Sequence, residues 1–492
     1  MPIQQPNQTI QEIGIVKSVR GFLVFIEGLP TIKVNDLVES NGAFGVVTAL
    51  LDNLVSVFML QEISVKPGQV FKRANQTLTI QVGDFLLGRT IDPLGASIDG
   101  KKILTQKGTA STLEKPAPPI SSRQFIKDQF ITGISLIDML VPIGKGQREL
   151  VMGDARSGKT SFLTDLIINQ KDTGIICIYA SIGKAITDVR KLIDILDANK
   201  AFTHTIVVAA ASSDPPPLIF LAPKTAFAIA QHFQKLGRDV LVILDDIGNH
   251  AKIYREISLL QERAPGRESY PGDIFYQHAH LLEIAGNFNE TEGGGSITAL
   301  PVIEFNMTDF TSFIPTNLMS MTDGHLLFTS TLHNQGMRPA IDISLSVTRV
   351  GLQTQYRIQN AIAGKIKSTL IRAAQLESIS RFSTELPQET QLLLHEKELI
   401  EELIVQEAFM FYTPEAQVMA FALIFTSFLK DKDKYFVRLY KNQLLTAFMK
   451  DPRFKDFPEL IHTGKNEQEL IDKLEGLSHV LTEICTPGAK QG

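Results

Sequence analysis

Two cysteines, Cys177 and Cys485, are too few and too far apart in 492 residues for a disulfide framework or a metal-binding knuckle. Both read as plain core or surface thiols, which suits a reducing compartment. Long apolar runs are also missing. The longest, residues 418–429, covers about 12 residues, whereas a helix needs ~20 to span a bilayer. Any membrane role is therefore expected to come through partners. Blocks of like charge are absent, and a formal net charge of −5 argues against a grip on nucleic acid driven by phosphate neutralisation. The opening residues, Met1-Pro2-Ile3-Gln4-Gln5-Pro6-Asn7-Gln8, lack the basic and apolar regions of a signal peptide and the arginines of a transit peptide, so the chain reads as untargeted. No internal repeat or low-complexity segment is present.

What remains is an ordinary globular composition, 44% hydrophobic and 21% charged, in a chain long enough for two to four domains. From residue 13 to about 81, short Val/Ile/Phe-rich runs are broken by turns at Gly21, Gly28-Leu29-Pro30, Asn41-Gly42 and Pro67-Gly68, which suggests a small barrel or sandwich. From 82 to about 351, apolar strand candidates at 174–180, 205–211, 240–244 and 297–305 alternate with helical patterns, as in an α/β domain with a largely parallel sheet. Beyond 352 the strand signal fades. Stretches such as 391–407 and 467–484 repeat apolar residues at helical spacing. The expected division is 1–81, 82–355 and 356–492.

Within the middle segment, Gly153-Asp154-Ala155-Arg156-Ser157-Gly158-Lys159-Thr160 fits the phosphate-cradling pattern G-x-x-x-x-G-K-[ST] without a mismatch. Arg148 to Met152 reads as a buried strand and Ser161 to Ile168 as a helix, the strand-to-helix turn that this loop requires. Backbone N–H groups converge on phosphates at a helix N-terminus, where partial positive charge lies. Lys159 is expected to reach the β/γ-phosphates of a nucleoside triphosphate, and Thr160 to ligate magnesium. The apolar run Val240-Leu241-Val242-Ile243-Leu244 ends in Asp245-Asp246, the form of a Walker B element, so Asp245 is expected to hold the magnesium shell.

An ATPase also needs a group that orients or deprotonates the attacking water. The natural place is the end of the strand that follows the P-loop helix. There the chain reads Ser181-Ile182-Gly183-Lys184-Ala185-Ile186, with no acid until Asp188. Lys184 is read either as a phosphate ligand or as a solvated surface lysine, because an ammonium is a poor base at neutral pH. This P-loop reads as built to bind more than to hydrolyse.

Longer matches then come into view. Pro142-Ile143-Gly144-Lys145-Gly146-Gln147-Arg148-Glu149-Leu150 runs into the P-loop, and Pro265-Gly266-Arg267-Glu268-Ser269-Tyr270-Pro271-Gly272-Asp273 follows Walker B. Further on stand Ile314-Pro315-Thr316-Asn317, Thr322-Asp323-Gly324, Arg338-Pro339-Ala340-Ile341 and Ser346-Val347-Thr348-Arg349-Val350-Gly351. Together they resemble the α subunits of F-type ATP synthases, from about residue 13 to the C-terminal helices.

The resemblance implies a RecA-like α/β P-loop domain between an N-terminal β-barrel and a C-terminal helical domain. It implies a regulatory Mg-ATP (or ADP) site that does not turn over, in a hexamer where α alternates with catalytic β subunits. Further implied partners are a central-stalk γ subunit, peripheral-stalk subunits and a membrane ion-pumping sector, proton or sodium, on the cytoplasmic face of a bacterial membrane. Arg349 corresponds to an arginine finger inserted into the neighbouring β site, and Ser320 to a residue beside that interface. Arg338, Pro339 and Gln406 match positions lining the adenine pocket. Three departures stand out: Ala155-Arg156-Ser157 in place of Arg-Gln-Thr, Lys184 in place of Gln, and Ala408 at the second adenine-contacting Gln. The leader before Ile13 is also shorter than usual. Two other readings stay open, a homohexameric P-loop ATPase of export or termination type and an α-like subunit of a specialised rotary ATPase that does not pump.

Overall fold

A computed structural model describes residues 12–61, 64–102, 108–306, 311–380 and 387–486. The leader discussed above, apart from Glu12, lies outside them. Strands Ile13–Arg20, Leu23–Gly28, Asp36–Ser40, Ala43–Leu50, Val55–Met59 and Val70–Thr77 close into an antiparallel barrel. The turns read from sequence fall between these strands, apart from Gly28, which is the last residue of its strand. Closure removes the edges, and alternate residues Val24, Ile26, Val38, Val47, Val57 and Phe71 fill the interior.

The middle of the chain forms a sheet of nine strands among the described residues. Across it run Val347–Thr348, Gly324–Phe328, Glu149–Gly153, Ser296–Glu304, Val240–Asp245, Ile176–Lys184, Thr205–Ala211 and Arg89–Ile91, with Gly286–Asn287 pairing beside Ser296–Glu304. All neighbours from Gly324–Phe328 to Arg89–Ile91 are parallel. Parallel strands covered on both faces need continuous apolar runs. Val240–Asp245 and Thr205–Ala211 are buried at every position. Because the strands point one way, Gly153, Lys184, Asp245, Glu304 and Phe328 all end at the same edge. That edge is where a doubly wound sheet places its ligand crevice.

One face of the sheet carries helix Pro216–Lys235 and shares a core with barrel residues Leu23, Phe25 and Phe58. The other carries helix Lys159–Asn169, whose Phe162, Leu163 and Ile167 join a core that continues into the C-terminal helices through Ile358, Leu399 and Met419. Those helices begin with Arg357–Ser380 and Gln388–Ile404. The stretch read from sequence as helical over 467–484 is two helices, Glu467–Glu475 and Ser478–Ile484, parted at Gly476-Leu477, where glycine supports a helix poorly. No helix among the described residues is long and apolar enough to cross a membrane.

Where the chain leaves the sheet for these helices, Gly351 packs so closely that a Cβ there would lie 1.6 Å from the Pro142 carbonyl oxygen. Gly351→Ala is therefore expected to lower stability by at least about 1–3 kcal/mol, as overpacking does. Denaturant unfolding of the full chain measures this, and an unchanged midpoint would contradict the contact.

Candidate functional site

Gly153 ends its strand at φ +149, and a Cβ there would meet the Phe328 carbonyl oxygen at 2.0 Å. Only glycine fits. Arg156 and Gly158 also have positive φ, 58° and 94°, so the loop coils back before helix Lys159–Asn169 begins. Ser157 Oγ donates to the Asp154 carbonyl at 2.7 Å. Asp154 Oδ2 accepts from Ser330 N at 3.1 Å and Ser330 Oγ at 2.9 Å, which ties the loop to the next strand end. Ala155 and Arg156 are exposed at the tip, as is Thr160.

Lys159 is buried, with Nζ 2.9 Å from the Gly153 carbonyl oxygen, 2.5 Å from that of Asp154 and 3.8 Å from Glu304 Oε2. Burial lowers its pKa, while the charges of Glu304 and Asp246 act the other way. Its ammonium thus bridges the loop mouth, the position from which phosphate oxygens can be met at a helix N-terminus.

Beside the loop opens a cavity of about 330 Å³ whose walls include Phe162, His333, Arg338, Pro339, Gln406 and Ala408. Three residues expected at the adenine pocket therefore come together. Their roles differ, however. The Gln406 side chain is buried and its amide fully engaged, accepting from Ser135 N at 3.0 Å and donating to the carbonyls of Gly133 at 2.8 Å and Met410 at 2.6 Å. It shapes the wall. Its backbone N–H also donates to the Arg338 carbonyl, 2.8 Å away. The exposed Arg338 guanidinium donates to the His333 and Met337 carbonyls. Asp165, on the P-loop helix, also faces this cavity, and burial pushes its pKa up to about 6.

At the neighbouring strand ends lies a charge cluster that the sequence only half disclosed. Lys184 is neither solvated nor free: its side chain is 24% exposed and Nζ lies 2.8 Å from Asp245 Oδ1. Burial acts to lower its pKa, but Asp245, Asp246 and Glu304 raise it overall. The other Asp245 oxygen accepts from the Tyr179 hydroxyl, whose pKa is raised well above its ordinary value by burial and by Asp245. Asp246 accepts from Gly248 N at 2.5 Å and Glu304 N at 2.9 Å, and its pKa is pushed up to about 6 by burial and by Asp245. Thr160 stands open at the loop mouth, whereas Asp245 has Oδ2 on the Tyr179 hydroxyl and Oδ1 buried without a hydrogen bond, ion-paired to Lys184 at 2.8 Å.

Sequence reading gave no role to Tyr179, Asp246 or Glu304. The available signal was position, a polar residue within or at the end of a recognised strand. It could not say which strand ends are neighbours.

Arg349 and Ser320 lie elsewhere, outside the walls of the cavity. Arg349 follows the two-residue strand Val347–Thr348 at the sheet edge, exposed, and its guanidinium forms no ion pair among the described residues. Its backbone N–H donates to the Asp323 carbonyl at 2.9 Å, while the Asp323 carboxylate is gripped by Arg148 at 2.7 and 3.0 Å. Ser320 is exposed on helix Phe313–Met321, and its hydroxyl donates to Thr316 O at 2.9 Å.

Residues 133–348 match the model of the ATP synthase alpha/beta family, nucleotide-binding domain, and residues 355–481 that of the ATP synthase alpha/beta chain, C terminal domain. Among similar proteins, ATP synthase subunit alpha of Caldanaerobacter subterraneus subsp. tengcongensis is 39% identical over 469 residues, 94% of this chain and 91% of that one. The subunit alpha of Metamycoplasma arthritidis is 36% identical over 95% of this chain and 89% of its own length. ATP synthase subunit alpha 1 of Pseudoalteromonas atlantica is 42% identical over 78% and 72%.

Proposed function

Because the chain belongs to the ATP synthase alpha/beta family, with subunit-alpha relatives along nearly its whole length, we propose that it is the nucleotide-binding, non-catalytic α subunit of an F-type rotary ATPase. It holds ATP or ADP on its own P-loop and lends Arg349 to the catalytic site of a neighbouring β subunit. In this reading three copies alternate with three β subunits around a central stalk. A peripheral stalk and a membrane sector moving protons or sodium complete the machine, with this chain peripheral to a bacterial membrane.

The observation that carries the non-catalytic assignment is Lys184. The strand end where a water-activating carboxylate is needed presents an ammonium paired to Asp245. The test is stoichiometric ATP binding and steady-state hydrolysis, measured on one preparation of the purified chain. Binding with negligible turnover is expected; robust turnover by the chain alone would remove the assignment.

A second reading, a homohexameric ATPase that hydrolyses at this site, draws on Glu304, a carboxylate 47% exposed and 3.8 Å from Lys159 Nζ. If it held, Glu304→Gln would abolish turnover by the isolated chain, by about 10²-fold or more for a general base. In the α-subunit reading Glu304→Gln leaves the β-site turnover of the complex within about threefold of wild type, because the residue faces the other nucleotide.

A further inference from the structure

The α-subunit reading leaves Lys184 without a task beyond being no base. We propose that Lys184 is a built-in counter-cation of this nucleotide site, occupying on Asp245 the place of a divalent ion, so that the chain binds ATP or ADP with an affinity nearly independent of magnesium. The inference rests on the P-loop holding a nucleotide, and goes beyond it.

The backbone aims the lysine. Strand Ile176–Lys184 runs parallel to Val240–Asp245 with Ser181 opposite Asp245. Against its other neighbour the ladder slips between Ile182 and Lys184, with Gly183 at φ +64. Such a bulge re-aims the side chain that follows it. The result is the 2.8 Å contact of Nζ with Asp245 Oδ1 in a mostly buried setting.

Of the four carboxylate oxygens of Asp245 and Asp246, three accept hydrogen bonds and the fourth, Asp245 Oδ1, is buried against the Lys184 ammonium. Asp245 Oδ1 faces Lys184 and Oδ2 takes the Tyr179 hydroxyl, while the two Asp246 oxygens take the N–H groups of Gly248 and Glu304. Magnesium demands near-ideal octahedral oxygen ligation and dehydrates reluctantly. To use Asp245 directly it would have to expel the Lys184 ammonium from the one carboxylate ion-paired to it among the described residues and then sit beside that charge. An ammonium carries three donors in no fixed plane and imposes no coordination geometry, so Lys184 can keep its charge against Asp245 while donating to a phosphate oxygen. Lys159 supplies the second positive charge from across the loop mouth. Between them they neutralise terminal phosphate charge that a divalent ion otherwise covers.

The test is calorimetric titration of ATP into the purified full chain, once with excess magnesium chloride and once with EDTA. The dissociation constants are expected to agree within about threefold, whereas Lys184→Gln is expected to bind at least about tenfold more tightly with magnesium than without. Manganese, read by electron paramagnetic resonance, is expected to stay largely free with wild-type chain and ATP and to become bound with Lys184→Gln. A wild-type affinity that rises tenfold or more with magnesium would overturn the proposal and leave the nucleotide site standing. Absence of ATP binding under both conditions would overturn the site itself, and the proposal with it. The wild-type comparison decides the question even if the variant folds poorly.

Discussion

Arg349→Ala is expected to lower ATP turnover of the assembled complex by about 10³-fold or more, while the nucleotide content of this chain stays unchanged. Arginine fingers supply ~10³–10⁵ in turnover because a permanently charged planar fork meets charge that develops on the transferring phosphoryl group. The geometry supports action on another chain. Arg349 is exposed at the sheet edge and lies outside the walls of the chain's own cavity. Its base is nonetheless held firmly: the backbone N–H bonds Asp323, and Asp323 is clamped by the Arg148 fork in a partly buried pair. A finger that must meet a transition state needs such a support, since misplacement by an ångström is costly. Two measurements on one preparation check the idea, steady-state hydrolysis and the amount of nucleotide retained by this chain. Unchanged turnover would remove the finger assignment; lost nucleotide would put Arg349 in the wrong site. Arg349→Lys, which keeps the charge but not the fork, should recover only part of the rate.

The second large effect concerns binding. Lys159→Gln is expected to weaken ATP binding to the isolated chain by about 100-fold, in line with charge-assisted hydrogen bonds of ~1.5–3 kcal/mol each. The ammonium is buried and already satisfied by the carbonyls of Gly153 and Asp154, so the loop is shaped around it before any phosphate arrives. Glutamine keeps a neutral donor on a side chain one atom shorter, and a thermal melt should show a folded chain. In the complex, β-site turnover should fall far less than with Arg349→Ala. Turnover lost with binding intact would mean that this P-loop itself performs the chemistry.

The contrast between Lys159 and Lys184 shows where sequence reading stops. Lys159 was legible because its neighbours in sequence make its environment: glycines for a turn at positive φ, and the N-terminus of a helix, where partial positive charge lies. The parallel strands were legible for a similar reason, since burial on both faces demands unbroken apolar runs such as residues 240–244 and 205–211. Lys184 was not. Read along the chain it stood between Gly183 and Ala185, with the nearest following acid at Asp188, and a solvated lysine was a fair expectation. The fold instead brought Asp245 to it from a neighbouring strand, and the other Asp245 oxygen takes the Tyr179 hydroxyl. Gln406 differs in another way. Its place in the cavity wall was foreseen, but not that its amide would be consumed by Gly133, Ser135 and Met410.

Sequence alone therefore determined the three-part architecture, the strand–loop–helix of the P-loop, the apolar strand that ends at Asp245 and the family, because each is written in contiguous residues whose local physics suffices. Tertiary structure decided which charges share a space. A parallel sheet gathers the C-terminal ends of strands far apart in the chain, and an ion pair such as Lys184–Asp245 exists only after that gathering has taken its members out of water.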